Sequence, residues 1–171
     1  ISPARGIAES GRLAAATTLT LHKAPAADHT LMVLTKPLTV SSTNLLSFYG
    51  LDTEGIWQFG NTINFGVTHV GGGTTTVSYS IDSSRTHLVA GVAQSDKIIL
   101  YVDGQPVVSK DITNTNAFGL ASQVILGDPN AATYAFAAVW HRALTGSEVN
   151  GIYAAGNPAP LRTYALSQFF S

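Results

Sequence analysis

Residues 86–111 read T-H-L-V-A-G-V-A-Q-S-D-K-I-I-L-Y-V-D-G-Q-P-V-V-S-K-D, and this stretch decides the fold. Leu88–Val92 is an apolar run, and Lys97–Val102 is a second run rich in β-branched and aromatic residues. After Asp103-Gly104 a third apolar run begins. Because tight hairpin turns need positive φ, which glycine adopts at little cost, an Asp-Gly pair between apolar runs is a strong hairpin signal. The stretch therefore predicts three successive strands joined by short turns.

Short runs with the same strand character continue along the chain on both sides of this stretch. Many of them alternate between apolar and polar residues, which is typical of strands with one buried face. Turn-forming residues separate the runs at intervals of about 8–12 residues, which indicates an antiparallel sandwich rather than an alternating β/α protein. The additional strands predicted are residues 17–21, 29–35, 44–51, 55–59, 62–67, 75–81, 123–126 and 133–140.

One helix is predicted near the end of the chain. Thr145-Gly-Ser-Glu148 has the pattern of a capping box, in which the threonine hydroxyl accepts the backbone amide of Glu148 and the glutamate reaches back to the amide of Thr145. Val149, Ile152 and Tyr153 follow at helical spacing on one face. We therefore expect a short helix with an apolar face.

Two segments resemble motifs of a known family. H-L-V-A-G-V at 87–92, followed by I-L-Y-V-D-G at 99–104, is similar to the central signature of laminin-G-like, concanavalin A-like lectin/glucanase jelly-roll domains. R-A-L-T at 142–145, with the glutamate and the Ile-Tyr pair that follow, resembles the closing strand and short helix of the same family. The resemblance implies an all-β, antiparallel jelly-roll β-sandwich with one short helix near the C-terminus. We expect this domain at residues 17–171, after an N-terminal arm or linker at residues 1–16.

The composition argues against several classes of partner and site. Hydrophobic residues make up 45% of the chain and charged residues only 11%, with a net charge of −1. Much of the surface must therefore consist of uncharged polar residues, which suits an extracellular or virion-surface protein. No run of Lys and Arg is present to capture nucleic acid, and no apolar run approaches the roughly 20 residues of a membrane span. The chain has no cysteine, which excludes disulfides, and it begins at Ile1, so we expect it to be part of a longer product.

An enzymatic function is not expected. Most glycosidases need two carboxylates that flank the scissile bond, and the glutamates of the chain are Glu9, Glu54 and Glu148. The capping box explains Glu148, and Glu9 lies in the predicted arm. Asp52 and Glu54 are two residues apart, but the glycine turn beside them predicts a solvated loop pair. No G-x-S-x-G motif indicates a serine nucleophile, and His87, beside a core strand, is expected to be structural.

Calcium is the one cofactor that the resemblance implies, because many laminin-G-like and lectin domains bind it through loop oxygens. Asp128 and Asn130 of the G-D-P-N segment would supply hard oxygen ligands. The same four residues also have the composition of an ordinary turn, and both interpretations stay open. A histidine site is not expected, because the five histidines are scattered without a metal-ligand spacing.

Sugar-binding sites on such folds combine an exposed aromatic ring with amide side chains and glycine-rich loops around it. The residues predicted to bind a ligand are Tyr49, Asn61, Asn64 and Tyr79. The glycine tip at residues 71–73 would contribute a loop to the same site. Trp57 and Trp140 lie in apolar strands and are predicted to pack in the core.

These features favour a non-enzymatic module for recognition or adhesion, with a glycan or a cell-surface receptor as its partner. The mechanism would be a preformed shallow surface that binds by aromatic stacking and loop hydrogen bonds. The alternative is a structural module of a phage or viral particle, such as a tail fibre, a head fibre or a capsid decoration. In that case the natural state would be a homo-oligomer or a larger assembly, and both hypotheses can hold together.

Overall fold

The fold is described from a computed structural model of the chain. The structure describes residues 17–20, 27–37, 43–48, 54–114, 116, 118, 123–127 and 132–155. The arm predicted at residues 1–16 and the end of the strand predicted at residues 44–51 therefore lie outside the described residues, and the domain boundary stays a prediction.

The described residues form eleven strands and one helix. These elements are β1 (Thr17–Thr20), β2 (His29–Pro37), β3 (Thr43–Phe48), β4 (Gly55–Phe59), β5 (Thr62–Thr68), β6 (Thr74–Ser80), β7 (His87–Ala93), β8 (Lys97–Val102), β9 (Gln105–Asp111), β10 (Gln123–Leu126), β11 (Ala132–Trp140) and α1 (Gly146–Ala154). They match the predicted strands and the predicted helix to within a few residues at each end.

The strands form two antiparallel sheets. The first has the order β1-β10-β3-β4-β5-β6, and the second has the order β11-β2-β7-β8-β9. Neighbours in both sheets pair antiparallel. The two sheets pack face to face, which confirms the all-β jelly-roll sandwich predicted from the sequence.

The three strands of residues 86–111 are consecutive neighbours in the five-stranded sheet. Ala90 pairs with Tyr101 across β7 and β8, and Ile98 pairs with Lys110 across β8 and β9. The turn between β8 and β9 has positive φ at both of its central residues, 52° at Asp103 and 79° at Gly104. This is the geometry that joins strands of right-handed twist, so the predicted hairpin is confirmed.

The five-stranded sheet is covered on both faces along its central strands, whereas its edge strand β9 stays largely exposed. Its inner face packs against the other sheet through residues such as Val89, Leu100 and Val102. Its outer face carries a second apolar cluster that includes Leu88 and Val92. All seven residues of β7 are buried, as expected for a strand that is covered from both sides.

Helix α1 covers this outer face and begins with the predicted capping box. The Thr145 hydroxyl accepts the amide of Glu148 at 3.2 Å, and Glu148 Oε2 accepts the amide of Thr145 at 2.8 Å. Val149 and Ile152 are buried, and each contributes about 1.5–3 kcal/mol by leaving water. Tyr153 differs from the expected apolar face because it is 43% exposed. It lies beside Gly104, where an added Cβ would be 2.9 Å from Tyr153 Cβ, so it packs against the turn between β8 and β9 and not in the outer apolar cluster.

The two sheets are in close contact where Phe65 of β5 lies over Gly91 of β7. A Cβ added to Gly91 would be 2.3 Å from Cδ2 of the Phe65 ring. Phe65 is fully buried, so its ring has no room to move away. Glycine at this position therefore allows the aromatic ring to fill the centre of the sandwich.

Gly91→Ala is expected to lower the free energy of unfolding by about 1–3 kcal/mol, because it overpacks a closed core. Denaturant unfolding of the purified domain measures this change. Gly151→Ala is the matched control, since Gly151 lies in α1 with nothing within 4 Å of an added Cβ. The control should be neutral or more stable by up to about 1 kcal/mol. Equal effects of the two substitutions would contradict the close approach of Phe65.

Candidate ligand-binding groove

A shallow groove opens at the edge of the sandwich where β6 lies against β8 and β9. Its volume is about 260 Å³. The loop between β6 and β7 forms one wall, and the turn between β8 and β9 forms the other. Its polar side chains come from Tyr79, Asp82, Arg85, His87, Asp103 and Gln105. Ile81, Val102 and Val107 supply apolar surface.

Tyr79 brings an aromatic ring to this groove. It follows the buried residues Thr75 and Val77 on the inner face of β6, because alternate residues of a strand point the same way. At the end of β6 the sandwich opens, and Tyr79 is 40% exposed. The ring is therefore supported by the sheet and accessible to a ligand.

Asp103 is held rigidly between the turn and β7. Its Oδ1 accepts the backbone amide of Leu88 at 3.1 Å, and its Oδ2 lies 2.9 Å from His87 Nδ1. The Arg85 guanidinium lies 3.5 Å from the same Oδ2. The backbone amide of Asp103 also donates to the Leu88 carbonyl at 2.8 Å. These contacts fix one carboxylate at the groove wall before any ligand arrives.

Asp82 places a second carboxylate at the groove. Its Oδ1 accepts the backbone amide of Ser84 at 3.0 Å and the Ser84 hydroxyl at 2.6 Å. These hydrogen bonds to Ser84 lower the pKa of Asp82 below its ordinary value. Asp82 is therefore ionised at neutral pH, with Arg85 Nε 3.9 Å from its Oδ2.

His87 supports the groove from beneath. Its side chain is 2% exposed, and both ring nitrogens are occupied, Nδ1 by Asp103 and Nε2 by the carbonyl of Asp82 at 2.8 Å. Both partners are oxygen acceptors, so each ring nitrogen is already engaged within the protein. His87 is consequently enclosed, as expected of a structural histidine, and it does not present a free nitrogen to the groove.

The structure separates the ligand-binding residues predicted from the sequence. Asn61 lies in the turn between β4 and β5, where its Oδ1 accepts the Ser83 hydroxyl at 2.9 Å and so supports the loop behind the groove. Asn64 lies in the middle of β5 and accepts the Ser78 hydroxyl at 2.7 Å. Ser78 and Tyr79 are adjacent on β6, so Asn64 and Tyr79 belong to opposite faces of the sheet. Their roles in binding stay predictions.

The remaining predicted residues have different outcomes. Tyr49, Asp128 and Asn130 lie outside the described residues, so the predicted calcium site also stays a prediction. Trp140 is buried in the outer apolar cluster, as predicted. Trp57 is half-buried and lies on the face of β4 opposite the core residue Ile56, so it does not pack in the centre of the sandwich.

Arg85, Asp103 and Gln105 line the groove but were not predicted from the sequence to bind a ligand. Asp103 was assigned only to a turn, although pairing of β7 with β8 places it beside His87 and Leu88. That register is a signal that the sequence contains. No comparable pattern indicates Arg85, because its place depends on the path of the loop between β6 and β7.

A buried polar cluster lies among the strand ends away from the groove. Glu54 is fully buried, its Oε2 accepts the backbone amide of Thr68, and its Oε1 lies 3.3 Å from His29 Nε2. These two atoms lie close together but are not aligned for a hydrogen bond. The prediction of a solvated Asp52–Glu54 pair is therefore wrong for Glu54, because the sheets enclose its side chain.

Histidines complete the cluster around Glu54. Nδ1 of His29 contacts the carbonyl of Ala27 at 2.8 Å. His69 contacts the carbonyl of Asn116 at 3.1 Å and the Thr75 hydroxyl at 3.3 Å. Among the described residues no group of three side chains is arranged to hold a metal ion. Burial raises the pKa of Glu54 above its ordinary value of 4.5, against the opposing effect of His29.

Glu54→Gln is expected to change the pH dependence of stability. A raised pKa means that the folded protein holds the proton more tightly than the unfolded chain. The stability that wild type has over Glu54→Gln should therefore fall as the pH rises above 4.5. Denaturant unfolding from pH 2 to neutral pH, carried out on both proteins, measures this difference.

Glu148→Gln is the control with the opposite sign. The bidentate hydrogen bonds from Arg142, followed by the amide of Thr145, lower the pKa of Glu148 from 4.5 to about 2. The advantage of wild type over this variant should be present above pH 4.5 and disappear as the pH falls toward 2. It should be only about 0.5–1 kcal/mol, because both side chains are partly exposed. If the stability advantage of wild type over the two variants changed with pH in the same direction, this result would contradict the burial of Glu54.

The fold and the groove define a jelly-roll β-sandwich with an open edge site. The sequence profile of the concanavalin A-like lectin/glucanases superfamily matches residues 11–150. The chain therefore belongs to this superfamily, which confirms the resemblance seen in the sequence. Comparison with curated protein sequences finds no match. In the described part of the chain, no helix has the length and apolar character to cross a membrane.

Several solved structures share the fold. The receptor-binding domain of the botulinum neurotoxin C/D mosaic serotype has a TM-score of 0.70 and 11% identity over 82% of this chain and 40% of that one. The botulinum neurotoxin DC binding domain in complex with rat synaptotagmin II has a TM-score of 0.68 and 8% identity over 82% and 40%. The same toxin domain in complex with SialylT has a TM-score of 0.66 and 7% identity over 82% and 39%. The chain thus spans about two fifths of each of these domains.

Proposed function

We propose that this domain recognises glycans without modifying them, and that the groove beside Tyr79 is the binding site. One observation supports this proposal above the others. An exposed aromatic ring, Tyr79, lies in the same groove as Asp103, a carboxylate that is fixed by its neighbours before binding. Tyr79 would stack on the apolar C–H face of a sugar ring, while Asp103 and Gln105 would bind its hydroxyl groups.

The size of the groove favours a single sugar unit. Its volume of about 260 Å³ lies just below the range of about 300–1,000 Å³ that holds drug-sized ligands. The groove is open at the surface, so further units of an oligosaccharide could continue into solvent. A shallow site of this kind binds weakly, with an expected dissociation constant of about 0.1–1 mM for one unit.

The fixed groove wall favours binding for an entropic reason. Asp103 does not have to be ordered by the ligand, because the Leu88 amide and the His87 ring already hold its carboxylate. Side chains that are immobilised on binding each cost about 0.5–1.5 kcal/mol. A preformed acceptor avoids most of this cost, which matters when the ligand makes few contacts.

A binding role rather than a catalytic one also agrees with the state of the groove side chains. His87 is enclosed with both nitrogens in contact with acceptors, so it is a poor general base. The lowered pKa of Asp82 makes it a poor general acid at neutral pH. Relatives of the same fold are solved as binding domains, one with SialylT and one with synaptotagmin II. We further propose an extracellular or virion-surface location.

Tyr79→Ala is expected to abolish binding on a glycan array, because it removes the stacking surface and leaves the sheet intact. The matched control is Phe59→Ala, since Phe59 is also an exposed aromatic residue but lies at the end of β4, outside the groove-lining residues. The control should bind as wild type does. A blank array for the wild-type protein, or equal loss in both variants, would contradict glycan binding at the groove.

A structural role in a phage or viral particle is the second candidate. Phe59, which is 67% exposed, lies on the same outward face of β4 as the half-buried Trp57, and this exposed aromatic pair supports a contact with further protein. This role predicts a homo-oligomer, and mass measurement in solution tests it. A monomer at every concentration would count against it. Calcium at Asp128 and Asn130 would be compatible with either role and also stays a proposal.

A further inference from the structure

We propose that the groove selects uncharged glycans and rejects acidic ones such as sialylated or sulfated sugars. The inference rests on the proposed function and specifies the ligand class of the same site. It follows from the charges that line the groove and from the way in which they are already paired.

Arg85 is the exposed cation of the groove, and its guanidinium lies beside two carboxylates of the protein. Its side chain is 64% exposed, yet its NH2 group lies 3.5 Å from Asp103 Oδ2 and its Nε lies 3.9 Å from Asp82 Oδ2. Recognition of an acidic sugar normally uses a guanidinium whose two parallel donors are free to form a fork. Here Nε and one NH2 group, which form one such fork, already face protein carboxylates, so a ligand carboxylate would have to compete with Asp82 and Asp103 at that edge of the guanidinium.

The net charge of the groove-lining residues also disfavours the binding of an anionic ligand. Among the groove-lining residues, Asp82 and Asp103 contribute two negative charges, and Arg85 contributes one positive charge. The total is −1 with a neutral His87 and 0 with its imidazolium. His87 does not offset this for a ligand, because it is buried and its Nδ1 is directed to Asp103. An incoming carboxylate or sulfate would therefore meet two like charges without a free partner.

The same carboxylates suit neutral sugars. A carboxylate has about four acceptor positions, and three donors contact Asp103, namely the Leu88 amide, His87 Nδ1 and Arg85 NH2. One position is thus left for a sugar hydroxyl. Asp82 is exposed, and hydrogen bonds from Ser84 keep its pKa low, so it stays an acceptor at neutral pH. Gln105 adds an amide that both donates and accepts.

The test compares a neutral oligosaccharide that binds on the array with the same oligosaccharide carrying a terminal sialic acid or a sulfate. Calorimetric or NMR titration with wild type should give an affinity for the acidic form that is lower by about tenfold or more. Binding of the neutral form should not change between low and high salt, because no net charge interaction is screened.

Asp82→Asn provides the matched variant. Asp82 is exposed, so its replacement leaves the core intact, and the variant removes one negative charge while keeping a polar side chain of the same size. In this variant, the ratio of the affinity for the neutral form to the affinity for the acidic form should fall by several-fold. Tyr79→Ala, measured in parallel, should abolish binding of both forms.

The outcomes separate the two proposals. Preferred binding of the acidic form, lost in high salt and lost in Tyr79→Ala, would overturn the selectivity and leave glycan binding at the groove standing. Equal affinities for both forms in wild type would also overturn the selectivity. Absence of Tyr79-dependent binding for any glycan would overturn the proposed function and the selectivity with it.

Discussion

The contact between the Asp103 side chain and the start of β7 is the interaction on which both the fold and the groove depend. Asp103 sits at φ 52° in the tight turn between β8 and β9, a conformation that costs energy for a residue with a side chain. Its carboxylate is bonded to the Leu88 amide and to His87, and this ties the turn to the neighbouring strand. The same carboxylate faces the groove, so one residue sets the hairpin and forms part of the groove wall.

Coverage of β7 on both faces makes this position rigid. β7 is buried along its whole length, with the six-stranded sheet on one side and α1 with its preceding loop on the other. Phe65 reaches across the sandwich to Gly91, which fixes the spacing of the sheets at that point. The turn at Asp103 is also backed by Tyr153 of α1, which lies against Gly104. A groove built on such a frame is preformed rather than shaped by its ligand.

The sequence was sufficient for the fold because the signals for it are local. Alternation of apolar residues, the Asp103-Gly104 pair and the capping box at Thr145 each lie within a few residues, and the structure has all of them where they were expected. The environment of Glu54 was not predictable in this way, because its burial depends on His29 and Thr68, which are distant in sequence. Local turn residues suggested a solvated pair, and tertiary packing decided otherwise.

The binding residues were only partly predictable for the same reason. Tyr79 was expected to be an exposed aromatic residue, and it lines the groove. Asn64, expected to act with it, belongs to the opposite face of the sheet, since a single step along a strand reverses the direction of a side chain. The charged residues of the groove come from the loop after β6 and the turn after β8, and only the paired register of these segments places them together.

NMR mapping of the backbone amides during titration with an array-selected neutral oligosaccharide tests the location of the site most directly. If the groove binds the glycan, the largest shifts will lie at Tyr79, at the loop of residues 82–85 and at the Leu88 amide that donates to Asp103. Shifts centred instead on Trp57 and Asn64, on the other face of the six-stranded sheet, would contradict the groove as the binding site.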